Sequence, residues 1–196
     1  IVLEGGSIEV NGSGIVLTTE QCLLNKNRNP KLKKNEIENY LKDYLNVSNV
    51  FWLKKGISGD DTDGHIDDVA RFVNKNTLVY AFEEDEGDEN YEILKENYEL
   101  LKNMKDEDGN KFSIVKLPMP GFVSDDKGSR LPASYANFYI GNSAVAVPVF
   151  GHKNDKKAMD ILSKLFPNRK IVGINCRAMV YGLGTLHCVS QQEPKV

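Results

Sequence analysis

The side chains best suited to acid–base or covalent chemistry fall in three short stretches of the sequence. Gly59–Asp68 reads GDDTDGHIDD and packs five aspartates and His65, one of only three histidines, into ten residues. The run GLGTLHCVSQQ, residues 182–192, holds Cys188, and Glu4 stands just before Gly5-Gly6. A thiol, an imidazole and a carboxylate are the parts of a nucleophile, a base and a group that orients the base. Gly64-His65-Ile66-Asp67 leads into VARFV, which predicts a strand; alternation then puts His65 and Asp67 on one face, where they can act together on a ligand. His187 adjoins Cys188, but neighbours in a strand point to opposite faces, so His65 is the better base for that thiol.

Plainer readings stand beside these. A run of aspartates is often a solvated loop, a lone cysteine often a buried inert one, and a glutamate near a terminus an ordinary surface residue. A calcium loop of the EF-hand type ending its first half on Gly64 would need a ligand at Gly59 and a glutamate at position 70, which is alanine. One histidine without a second nearby is thin for a transition metal, so neither a metal nor a cofactor is expected. Cys22 and Cys176, flanked by apolar residues of expected strands, read as inert thiols.

Composition narrows the setting. With 40% apolar and 27% charged residues the chain should fold as a globular domain. A formal charge of −3, with lysines scattered along helices, gives no footprint for nucleic acid. No apolar run reaches the roughly 20 residues of a membrane span, and IVLEGGSIEV lacks the pattern of a secretory leader. Three widely spaced cysteines do not make a disulfide framework, so a reducing, cytoplasmic setting is expected.

The elements that must position these residues repeat along the chain. Residues 6–15 and 16–24 predict two strands joined through glycine, followed by a helix capped by Asn35 with Glu38 completing a capping box, and a strand at 50–53. The order returns with DVARFV, TLVYAF, a helix from Tyr91 to Met104 and FSIVKL. It returns again with ANFYI, AVAVPVF, an Asp155-capped helix and KIVGI. A fourth unit is expected to open with a strand at GTLHCVSQQ. Repeats of roughly 60 residues share a core between neighbours and can bring residues from the start of each unit to one axis.

Six stretches, LEGGSIEVNG, TTEQCLLNKNRNP, DDTDGHIDDVARFV, RLPASYANFYIGN, AVAVPVFG and GTLHCVSQQ, resemble in order those of the agmatine deiminase family, the bacterial-type peptidylarginine deiminases of the pentein superfamily. The resemblance implies an α/β pentein fold of ββαβ units, here three and the start of a fourth out of five. Residues 1–196 would then form a single catalytic domain, incomplete at its N-terminus. It implies hydrolysis of agmatine to N-carbamoylputrescine and ammonia, a step of polyamine metabolism leading to putrescine, through a covalent thiouronium on Cys188. His65 would be the general acid and base, Glu4 its holder, and Asp61 and Asp67 the carboxylates that bind substrate. The implied partners are a small guanidine substrate, the family's N-terminal portion and a second copy in a homo-oligomer, with neither nucleic acid nor membrane. Deimination of free or peptidyl arginine, and guanidine binding without turnover, are the alternatives. The family's usual GGGNIHC reads GLGTLHC here, with Leu183 for glycine and Thr185 for asparagine.

Overall fold

The computed structural model describes residues 1–193. Three units follow one another, each a three-stranded sheet in which the first strand pairs antiparallel with the second and the second parallel with the third. A parallel return needs a long crossover, and a helix supplies it each time. The first unit comprises β1 (Glu9–Val10), β2 (Ile15–Thr19), a single turn α1 (Glu20–Leu23), the crossover helix α2 (Lys34–Leu45) and β3 (Asn49–Leu53). The second comprises β4 (Ala70–Asn74), β5 (Thr77–Phe82), α3 (Tyr91–Leu101) and β6 (Ser113–Pro118). The third comprises β7 (Tyr139–Ile140), β8 (Ala144–Val149), α4 (Asn154–Leu165) and β9 (Lys170–Asn175).

The repeated order of elements agrees with the periodicity of the sequence, whereas several boundaries do not. The run that opens the first unit is a 3₁₀ turn at Gly5–Ser7 before the short β1. The next strand stops at Thr19, whose hydroxyl accepts the Cys22 N–H at 3.1 Å and starts α1, so Cys22 lies on a helix and not in a strand. The cap of α2 is Lys33, not Asn35; the Glu36 carboxylate accepts the Lys33 N–H at 2.7 Å. Glu38 instead accepts from the Trp52 indole at 2.8 Å. Asp155 sits inside the first turn of α4 and accepts the N–H groups of Phe150, Gly151 and His152, closing the loop before the helix rather than capping it. No strand forms at GTLHCVSQQ among the described residues: a 3₁₀ turn at Met179–Gly182 is followed by further turns.

Neighbouring units share their cores. Ile15, Leu17 and Leu53 of the first pack with Leu78, Tyr80, Leu94 and Leu101 of the second. Val79 and Leu117 of the second pack with Val145, Val147, Ala158 and Leu162 of the third. Each such aliphatic side chain, fully removed from water, stabilises the fold by about 2 kcal/mol. The junction of the first two units is also pinned by a buried amide on α3. Asn97 Oδ1 accepts the Lys54 N–H and its Nδ2 donates to the Lys55 carbonyl, both at 2.8 Å. Asn90, just before the same helix, accepts the Ser58 N–H at 2.8 Å. The chain leaving β3 is thereby fixed as it enters the aspartate-rich loop.

Candidate active site

Glu4, Asp61, His65, Asp67 and Cys188 all line one open cavity of about 750 Å³. They come from the entrances of the first and second units and from the turns after the third. Glu4, the Asp61–Asp67 loop and Cys188 are far apart in sequence, and the packing of the units brings them together.

One wall is built on Gly59–Asp68. Asp60 folds this loop onto itself, accepting the N–H groups of Thr62, Gly64 and His65 at 2.8–2.9 Å. Ile66–Asp68 is a 3₁₀ turn with His65 at its cap, so strand alternation does not apply there. The two side chains converge for another reason: both press against Gly6. A Cβ at Gly6 would lie 2.5 Å from His65 Nδ1 and 2.9 Å from Asp67 Oδ2. His65 Nε2 is 3.8 Å from Glu4 Oε2 and, although buried, has no hydrogen-bond partner among the described residues. Glu4 is held by Arg28, whose Nε and Nη2 donate to its two oxygens at 2.8 and 2.9 Å. That guanidinium holds the Glu4 carboxyl below the usual range. Arg28 also pairs with Asp63 at 2.9 Å. Asp61 is exposed at the rim.

The other wall carries the thiol. Asn137 is fully buried; its Nδ2 donates to Cys188 Sγ at 3.0 Å, and its Oδ1 accepts from Thr185 Oγ1 at 2.8 Å and from the His187 N–H at 2.9 Å. Cys188 Sγ is 3.6 Å from Asp67 Oδ2. His187 and Cys188 lie in a turn in which Val189 N–H reaches the Thr185 carbonyl, so the two side chains are not forced apart. His187 Nδ1 in fact donates to the same Asp67 oxygen at 2.7 Å, which corrects the expectation that it faces away. The second Asp67 oxygen, Oδ1, is buried without a hydrogen-bond partner among the described residues. Burial first, then the charges of Asp68 and Asp67, push the Cys188 thiol up to about 12. Burial likewise pushes Cys22 up to about 12 and raises Cys176, but both are wholly buried whereas Cys188 is exposed.

Asn137, Arg28, Asp68 and Arg71 escaped the reading of the sequence. Arg71 pairs with Glu9 at 2.7 Å and donates to the carbonyls of Ala136 and Phe138, which fixes the backbone on either side of Asn137. Nothing in ANFYI marks its asparagine as an amide that meets a thiol, because the contact spans 51 residues. Two sets of donor atoms lie within 4.8 Å of one another, Glu4 with Cys22 and His65, and Asp67 with Asp68 and Cys188.

The profile of the Porphyromonas-type peptidyl-arginine deiminase family matches residues 1–194. The chain belongs to this family. The agmatine deiminase of Medicago truncatula is 44% identical over 216 residues, covering 100% of this chain and 58% of that protein. A solved agmatine deiminase of Enterococcus faecalis superposes with a TM-score of 0.93 at 41% identity, covering 99% of this chain and 57% of the other. A solved C. jejuni agmatine deiminase, a cysteine-to-serine variant with substrate bound, superposes at 0.89 with 43% identity over 96% and 55%. This chain thus spans somewhat over half the length of the relatives it matches. The α/β pentein fold expected from the resemblance is the one observed.

Two residues of the cysteine loop bear on its shape. Leu183 has φ of +61°, a backbone region that favours glycine. Thr185 is fully buried and spends its hydroxyl on Asn137, the amide that meets the thiol.

Proposed function

We propose that the protein to which this chain belongs hydrolyses agmatine and water to N-carbamoylputrescine and ammonia. The observation that carries this reading is a buried carboxylate with an unpaired oxygen, Asp67, 3.6 Å from the Cys188 thiol in a cavity rimmed by Asp61. A planar cation with N–H groups satisfies that oxygen and sets its carbon beside the sulfur. The bound cation also opposes the negative neighbours that keep the thiol protonated, so the nucleophile is activated where substrate is present.

In this mechanism the Cys188 thiol gives its proton to His65 as Sγ attacks the guanidinium carbon, the C–N bond breaks, and ammonia departs with that proton returned by His65. A thiouronium remains on the sulfur. His65 then takes a proton from water, the hydroxide attacks the same carbon, the C–S bond breaks and the ureido product leaves. Glu4 holds the His65 ring, and Asp61 receives the cationic end of the substrate. The urea of putrescine is one hydrolysis from the free diamine, which supports a place in polyamine metabolism; three reduced cysteines support a cytoplasmic setting. The longer relatives support a contribution to the cavity from family length beyond this match. Among the described residues no helix is long and apolar enough to cross a membrane.

The family's name, a peptidyl-arginine deiminase, favours a second reading, deimination of peptidyl or free arginine. Incubating the full-length protein with agmatine, arginine and a peptidylarginine, with ureido product as the readout, separates the two. Product from none of the three, with binding intact by calorimetry, leaves guanidine binding without turnover.

A further inference from the structure

The loop that follows α1 sends Arg28 back beneath the proton-transfer wall. The side chain is 8% exposed, and every one of its nitrogens is engaged. Nε and Nη2 cover both Glu4 oxygens, Nη2 also reaches the Thr62 carbonyl, and Nη1 donates to Asp63 Oδ2 at 2.9 Å and Asn27 Oδ1 at 3.1 Å. Arg28 therefore has no donor left for a ligand. What it touches is the carboxylate beside His65 and the loop that carries His65.

We propose that Arg28 is a positioning residue for the reaction: it fixes Glu4 and takes up its charge, so that His65 stands beside a carboxylate without being locked in its charged form. The inference deepens the proton-transfer role given to His65 above and rests on that reading. A carboxylate facing an imidazole alone in a buried site holds the ring as imidazolium, which can donate a proton but cannot take one from water. A base that must do both in one cycle needs the carboxylate near enough to orient it and too occupied to trap it. Glu4 meets both demands. Its oxygens are 2.8–2.9 Å from Arg28 nitrogens, while its nearer approach to the His65 ring is 3.8 Å.

Other groups face the same ring or its cavity. Cys22 Sγ and Glu4 lie within 4.8 Å of it in one donor set, and Asp60 accepts from the His65 N–H. Asp63 reaches it only through Arg28, Asp67 shares the Gly6 contact, and Asp61, Arg71, His187 and Cys188 line the same cavity, with Asp68 behind Asp67. None but Arg28 both binds Glu4 and leaves the cavity free, so Arg28 is the residue to change.

In the full-length protein the His65 ring resonance is assigned by its loss in His65→Gln and followed by NMR. Arg28→Met is expected to move the His65 titration midpoint up by about one pH unit, the scale of an opposite charge newly paired at close range. Arg28→Lys, which keeps the charge and loses the fork, is expected to move it by a fraction of that. In a Glu4→Gln background the same Arg28→Met change is expected to move it by under about a third as much. A folded Arg28→Met chain with an unmoved midpoint overturns the proposal and leaves Arg28 as a loop staple. An equal shift with and without Glu4 overturns it too, by showing direct repulsion of the ring. Should Arg28→Met not fold, Arg28→Gln, which also removes the charge, takes its place, and an unmoved midpoint in it decides against the proposal. No substrate enters these titrations, so their failure is separate from a failure to find ureido product.

Discussion

The two walls of the cavity hold carboxylates in opposite states. On the wall of Glu4 and Asp63 each carboxylate is already paired, both with Arg28, so that one guanidinium offsets one of their two charges. On the wall of Asp67, Asp68 and Cys188 no arginine or lysine pairs with these carboxylates among the described residues, and Asp67 keeps one oxygen buried and unsatisfied. Leaving a buried polar atom unpaired costs about 1–3 kcal/mol, so a wall built that way is suited to a ligand that completes it. The paired wall is suited to moving protons without binding a cation. The division of labour lies in where the arginine is placed, since aspartates and glutamates are available on both sides.

The largest expected break is at the sulfur. Cys188→Ala in the full-length protein should lower kcat for agmatine by on the order of 10⁴-fold or more, whereas Cys22→Ala should change it only several-fold; a rapid ureido-product assay on both variants checks this. Gly6→Ala tests the point where the walls meet. Its new Cβ would displace His65 Nδ1 and Asp67 Oδ2 together, and kcat/KM should fall about 10²-fold, the effect of an ångström of misplacement.

Asp67→Asn sharpens the comparison by splitting two effects. Guanidine affinity, read by calorimetry, should fall about 10- to 100-fold. Alkylation of free Cys188 by iodoacetamide at pH 7 should instead speed up, because the thiol loses one of the negative neighbours that push it up to about 12. In the unaltered chain the alkylation rate should climb with pH all the way toward that value. The smallest effect is on stability. Burial, then Asp67 and Asp60, push the Asp68 carboxyl well above its ordinary value, so the folded chain keeps a proton that the unfolded chain releases. Stability is therefore drained as pH rises from the unfolded carboxylate value toward the folded one. Asp68→Asn should raise Tm by more at pH 8 than at pH 4 in thermal scans.

Much of this was legible in residue order. Apolar spacing in the helices and the recurring strand pairs marked three units, and GDDTDGHIDD, Glu4 and Cys188 were marked by residue type. Local geometry was less legible. A run such as VLTTEQCLL is apolar enough for a strand throughout, yet the Thr19 hydroxyl starts a helix and moves Cys22 onto it. GTLHCVSQQ has the β-formers of a strand, but Asn137 takes its Thr185 hydroxyl and two of its N–H groups and holds it as a turn. That is why His187 reaches Asp67 when alternation sends it elsewhere.

By itself the sequence determined the inventory, namely a thiol, an imidazole and a set of acids at the starts of repeated elements, because those features depend on residue type and near neighbours. Which acid is paired, which amide meets the sulfur and why Gly6 admits no side chain were decided only by the tertiary structure. Those contacts join residues 24 to 121 positions apart, and their strength depends on how much water the packed units exclude.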